Sequence, residues 1–248
     1  MSLSWLDQLV LLVHPRQVVL EHFPWRRERS RQQAEVALPT AGQTEWQPAL
    51  DAAAELLANA PGGAALRIVV ADALVRYALL PWNETLLGRK DRQAMALALL
   101  RSSLGEKAGT LEIAVDDPRF GQNGVAAGIE RELLDGLRRI AKGRHQRLGS
   151  IRPRLLAELA ARRQQLGDGW FACVDDDWIS LLGLVGGSPV RLRNHRATPA
   201  ELAGLLAAEA AAIAGRRVDI IGQAGVSPPG AAWDVRQQDF RLCGAAGA

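Results

Sequence analysis

The longest run of carboxylates in the chain is Asp175, Asp176 and Asp177, and Ile221-Gly222-Gln223-Ala224-Gly225 is a glycine-bearing loop of the kind that lets backbone amides approach an anion. Carboxylates can hold a cation against a phosphate, so Asp175 and Asp177, with Gly222 and Gly225, are the candidates for a cofactor site. A plainer reading stands beside that one. Aspartate is a common turn former, three adjacent negative charges repel a polyphosphate unless a cation intervenes, and Gly222 equally suits a simple strand-to-loop turn. A two-metal hydrolytic site needs carboxylates converging from several elements, and the opening strands offer only Glu21, which reads as a surface position. His14, His22, His145 and His195 show no zinc-ligand spacing with Cys173 and Cys243. Ser180, Ser188 and Ser227 sit in no glycine-flanked elbow, so a hydrolase triad has no support.

Other residues point to recognition of a partner. Seven tryptophans stand against one tyrosine. Trp46, Trp170 and Trp178 fall on apolar faces and read as core, whereas Trp25 and Trp82 each follow a proline at the end of an element. A half-exposed tryptophan in such a place is a contact anchor of the type enriched at interfaces. Trp25 opens a run, Arg26, Arg27, Glu28, Arg29, Ser30 and Arg31, which is either a solvated loop face or a contact for acidic groups. Arg76 lies between Val75 and Tyr77 on a strand, as an exposed charge or a buried arginine with a carboxylate partner. Trp25, Arg26, Arg76 and Trp82 are thus the candidate partner-binding residues.

The elements that must hold these residues follow from pattern. Leu9 to Val13 and Val18 to Phe23 read as a hairpin about His14-Pro15-Arg16-Gln17, with a third extended piece from Glu35 to Leu38. Thr44-Glu45-Trp46-Gln47 has capping-box spacing for a helix with Trp46, Leu50, Ala53, Ala54 and Leu57 on one face. Strands are expected at Leu66 to Val70 and Leu74 to Leu80, close enough to pair or to run on, then a helix from Lys90 to Leu104 and a strand from Leu111 to Val115. Asn123-Gly124 is expected to cap a helix bearing Ile129, Leu133, Leu137 and Ile140; a strand near Arg147 to Ile151 and a helix opening at Pro153 complete a first lobe. At Gly169 the pattern restarts. Strands at Trp170 to Val174, Trp178 to Val185 and Val190 to His195 lead to a capped helix at Thr198-Pro199-Ala200-Glu201 running to Ala214, and to a strand at Val218 to Ile221. Three strands, a helix and a strand thus occur twice, in element order and not in residue identity.

Composition fits a globular α/β protein: 48% of the residues are hydrophobic and the net charge is +3, with both signs interleaved. Such mixing argues against a nucleic-acid module. Two distant cysteines in apolar company imply small buried hydrophobes in a reducing compartment, and neither a leader nor a membrane-spanning stretch is recognised.

The segment Leu74 to Trp82, with its leucine-proline end, resembles a strand of PilM, MshI and the cytoplasmic part of GspL. Gly124 to Leu166 is similar to their helix-strand-helix connecting unit, and Trp170 to Arg196, with Gly186-Gly187 ahead of Val190-Arg191-Leu192-Arg193, to the opening of their second lobe. The resemblance implies an actin-like fold of two ribonuclease H-like lobes, residues 1–167 and a shortened 168–248. It also implies a non-enzymatic cytoplasmic scaffold of a type IV pilus or type II secretion complex, without a cofactor. Such a scaffold binds the cytoplasmic tail of a bitopic inner-membrane protein of the PilN or GspM kind, meets the membrane only through it, and can contact an assembly ATPase or a second copy of itself. Actin-like ATPases hold phosphates on two hairpin turns rich in aspartate and glycine. His14-Pro15-Arg16 has neither, and Asp175-Asp176-Asp177 has no glycine. The alternative is a nucleotide-dependent ATPase or switch using Asp175, Asp177 and a worn adenosine loop at Gly222 and Gly225.

Overall fold

The structure, a computed structural model, describes residues 7–24, 28–85, 88–116, 118–213, 215–222 and 233–239. In chain order the strands and helices are β1 (Gln8–His14), β2 (Gln17–Phe23), β3 (Ser30–Glu35), α1 (Gln47–Ala58), β4 (Ala65–Val70), β5 (Val75–Leu80), α2 (Arg89–Leu104), β6 (Leu111–Val115), β7 (Gly124–Glu130), α3 (Arg131–Gly143), β8 (Arg147–Pro153), α4 (Arg154–Arg162), β9 (Gly169–Val174), β10 (Ile179–Val185), β11 (Ser188–His195), α5 (Leu202–Glu209), β12 (Arg217–Gly222) and β13 (Asp234–Asp239).

Two five-stranded sheets share one plan. The first is ordered β3-β2-β1-β4-β8 and the second β11-β10-β9-β12-β13. In each, an antiparallel meander of three strands is extended by two parallel ones. This is the duplicated order expected from sequence. β13 is the strand that the sequence reading did not anticipate, so the expected shortening of the second lobe spares its sheet. A third, three-stranded sheet is ordered β5-β7-β6.

By packing, the described residues divide into two compact units, one drawn from Met1–Val75 and Ile129–Arg154, the other from Arg76–Gly128 and Leu155–Phe240. This division follows contact, whereas the expected lobes 1–167 and 168–248 were read from element order. In the first unit β1 is buried from Leu9 to His14, and helices α1 and α3 pack together. Their approach is close because α3 presents Gly136, where an added Cβ would lie 2.5 Å from Leu50 of α1. In the second, one face of the β9–β12 sheet meets α5 through Trp170, Leu181, Val218 and Ile220 against Leu202 and Leu206. Each fully buried side chain of this kind contributes about 2 kcal/mol.

Several sequence expectations are corrected. The third strand is Ser30–Glu35, earlier than Glu35 to Leu38, because Gln17 to His22 pair with Glu35 to Ser30. Helix α1 starts from Trp46 with no side-chain cap, and Pro48 in its first turn does the work assigned to Thr44. β4 and β5 neither pair nor run on, since a short 3-10 turn at Asp72–Leu74 sends them into different sheets. Gly124 to Glu130 is a buried strand, not a helix; α3 begins only at Arg131. Pro153 closes β8 instead of opening α4. The capping box at Thr198 is present, but α5 ends at Glu209, short of Ala214.

Candidate partner-docking site

β5 ends where Pro81 removes a backbone donor, and the next residue leaves the sheet. That residue is Trp82. Its amide finds no strand partner and instead donates to Asn123 Oδ1 at 2.8 Å. Its ring meets Phe120 edge-on, with centroids 4.8 Å apart and planes at 67°, a favourable aromatic geometry. Phe120 is 81% exposed, so this pair stands at the surface instead of closing a core. Behind it Leu80 packs with Ala96 and Ala126, and Met95 lies against that cluster. Trp82, Pro81, Met95, Pro118, Arg92 and Gln122 are among the residues lining a small surface groove of about 20 Å³. It is an apolar cleft with one cation at its side, the composition expected of a peptide- or ligand-receiving surface.

Pro118, Gln122 and Gly124 form the other wall. Asp116 and Val125 bond reciprocally: the Val125 amide donates to Asp116 Oδ1 at 2.9 Å, and the Asp116 amide to the Val125 carbonyl at 3.2 Å. A Cβ on Gly124 would sit 2.5 Å from Asp116 Oδ1, so glycine is what lets this carboxylate fold against the backbone. Although Asp116 as a residue is exposed, its carboxyl lies against the strand end. That desolvation raises its pKa above the ordinary 3.8, opposed by the Val125 hydrogen bond and by the charges of Arg163 and Arg92.

Of the predicted contact residues, Trp82 is in this groove. Arg76 is half-buried in the first half of β5, roughly 20 Å from Trp82 along an extended chain, and does not line it. Trp25 and Arg26 lie outside the described residues. Their neighbours Arg29 and Arg31 are exposed and approach Glu21 at 3.9 and 4.0 Å, and Arg29 also lies 4.0 Å over the Phe23 ring. Glu21, expected at the surface, is 7% exposed: β3 pairs beside it, and Arg31 of that strand and Arg29 just before it supply the cations. Trp46 and Trp170 are core residues as expected, whereas Trp178 is only half-buried.

The cofactor candidates lie apart from the groove. Asp175 is buried at the end of β9, where its amide closes the turn on the Trp178 carbonyl at 2.8 Å; Asp176 is exposed and Asp177 half-buried, its carbonyl accepting from the Ala197 amide at 3.2 Å. Gly222 has a structural reason to be glycine, because a Cβ there would lie 2.9 Å from the Val174 carbonyl oxygen. Gly225 lies outside the described residues. At the first hairpin the Arg16 amide is taken by His14 Nδ1 at 3.1 Å, and the Arg16 carbonyl accepts from Val36 at 2.9 Å. Among the described residues no group of three or more His, Cys, Asp or Glu is placed to hold a metal ion.

Asn123, Phe120 and Arg92 were missed as site residues by sequence. The available signal was an aromatic, Phe120, inside the polar turn Pro118-Arg119-Phe120-Gly121, where no core can claim it.

The repeated sheet order defines an actin-like fold. Among solved structures the chain is similar to the cytoplasmic domain of EpsL, an inner-membrane component of the type II secretion system of Vibrio cholerae, at 12% identity and TM-score 0.62 over 95% of this chain and 90% of that one. It is likewise similar to a chain of the PilM–PilN type IV pilus biogenesis complex, at 14% identity and TM-score 0.61 over 94% and 88%. A Bacteroides thetaiotaomicron protein with an actin-like ATPase fold matches at 11% identity and TM-score 0.59 over 91% and 84%. No protein-family profile matches the sequence, and no curated protein matches it either.

Proposed function

We propose that this chain is a non-enzymatic assembly scaffold of a type IV pilus or type II secretion complex, and that its Trp82 groove receives the cytoplasmic tail of a bitopic inner-membrane protein. The observation that carries this reading is a half-buried Trp82 that lines a surface groove and meets the exposed Phe120 edge-on, on a body similar over most of its length to the EpsL cytoplasmic domain and PilM. The PilM structure was solved as a complex with PilN, which supports a PilN-like partner for this chain too. Among the described residues no helix is long and apolar enough to cross a membrane. In this proposal a PilN-like partner provides an attachment to the inner membrane. Contact with an assembly ATPase, or with a second copy, belongs to the same proposal, as does the division into lobes 1–167 and 168–248.

The test is capture of synthetic tail peptides from single-span membrane proteins encoded beside this chain. Saturable binding that quenches tryptophan fluorescence and is lost in Trp82→Ala supports the proposal. Binding that ignores Trp82→Ala, or no binding by any such tail, defeats it.

A second reading, a nucleotide-dependent switch, is favoured by one observation: Asp175 places a buried carboxyl at the β9–β10 turn, 8% exposed.

A further inference from the structure

Asn123 lies beside the groove, yet most of its hydrogen bonds run away from it. Its Oδ1 accepts the Trp82 amide, while its Nδ2 donates to the Pro189 carbonyl at 2.9 Å and its own amide donates to Ser188 Oγ at 3.0 Å. The preceding residue follows suit, with Gln122 Nε2 donating to the Gly186 carbonyl at 3.3 Å. The Gly186 amide in turn donates to Asp168 Oδ1 at 2.7 Å. The Asn123 carboxamide therefore joins the residues after β5 to the start of β11, and with the Asn123 amide and Gln122 it ties the wall of the groove to the β10–β11 turn.

We infer that Asn123 is the positioning residue of this groove, joining Trp82 and the β10–β11 turn into one cooperative unit. This rests on the docking reading for its purpose, but not for its test. The chemistry requires an amide. A carboxamide offers an acceptor and donors in a single plane, whereas a carboxylate only accepts and a hydrocarbon does neither. Trp82 follows a proline beyond the end of its strand, so the Asn123 bond is what fixes its backbone and, through that, the ring edge presented to Phe120. At the other end, Gly186 and Gly187 both adopt left-handed φ, at 58° and 73°, in a turn whose preceding residue, Val185, is 45% exposed. A surface turn is thereby tied to the aromatic wall. A contact that orders the turn favours the ordered groove by the same factor by which a groove ligand favours the ordered turn, because coupling between two sites is reciprocal.

Amide hydrogen exchange on the full chain without ligand tests this. In Asn123→Ala, exchange of the Trp82 amide and of residues 185–190 should both accelerate about tenfold, the size expected when a net hydrogen bond or two is lost. β12 should stay protected. Ser188→Ala, a residue that does not line the groove, should also loosen Trp82 and reduce the near-ultraviolet signal of its ring. Asn123→Asp keeps the acceptor for Trp82 but loses the donor to Pro189, so it should loosen the turn more than Trp82. Acceleration at Trp82 alone in Asn123→Ala, or an unchanged Trp82 in Ser188→Ala, overturns the inference. Should Asn123→Ala fail to fold, the Ser188→Ala result decides. Failure here would leave tail capture unaffected, and failure of tail capture would leave these exchange rates unaffected.

Discussion

At the scale of single residues, the groove separates binding from stability. Phe120 is 81% exposed, so Phe120→Ala should leave the unfolding free energy within about 0.5 kcal/mol of the parent. The same variant should weaken tail binding by about 2 kcal/mol, the cost typical of removing a hot-spot aromatic. Comparing thermal melts with fluorescence titration checks both halves. Asp116 gives a pH signature. Its folded pKa is raised above 3.8, so the folded state holds the proton more tightly than the unfolded chain. Its contribution is complete below 3.8 and is lost as pH rises through the raised value. Asp116→Asn, which keeps an acceptor for the Val125 amide, should therefore gain stability relative to the parent as pH rises through that window. Paired melts across acid to neutral pH would read this, and a difference that shrinks with rising pH would refute it.

At the scale of elements, close backbone approach explains more than ligand chemistry does. Gly222 lets β12 lie beside β9, with the Val174 carbonyl in the way of any Cβ. A backbone oxygen cannot turn aside as a side chain can, so Gly222→Ala should destabilise the chain by about 1–3 kcal/mol, measurable by urea unfolding. The hairpins, α1 and the second meander were legible from their apolar runs and from turns marked by proline, aspartate or glycine, and α2 from Met95, Leu99 and Leu100 with Gly105 closing it. Gly124 to Glu130 was not. Its small residues, Ala126, Ala127 and Gly128, suit either period, and Asn123 beside Gly124 imitates a helix cap while serving instead as a bridge between segments. β13 was missed because Asp234-Val235-Arg236-Gln237-Gln238-Asp239 is polar throughout except for Val235, and only pairing with β12 makes it a strand. For the same reason the groove was half visible: Trp82 announces itself by following Pro81, whereas Arg92 and Pro118 reach the groove, and Phe120 reaches the Trp82 ring, from other elements, which no local pattern records.

At the scale of the whole molecule, the question is whether a doubled α/β body still responds to nucleotide. A ligand at a hundred times its dissociation constant stabilises a folded chain by about 2.7 kcal/mol, a plainly visible thermal shift. Millimolar ATP with magnesium should leave the melting temperature of this chain unchanged. An upward shift that disappears in Asp177→Ala would move the balance to the switch reading. The order of the two large sheets has one more consequence. Their outermost strands are β3, β8, β11 and β13, and all four carry arginine, with a proline in β8 and another in β11. Charge and proline on a margin discourage a neighbouring chain from adding itself by backbone pairing. Polymerisation through ribbon-like stacking is thereby resisted, and the molecule can be concentrated without seeding fibres.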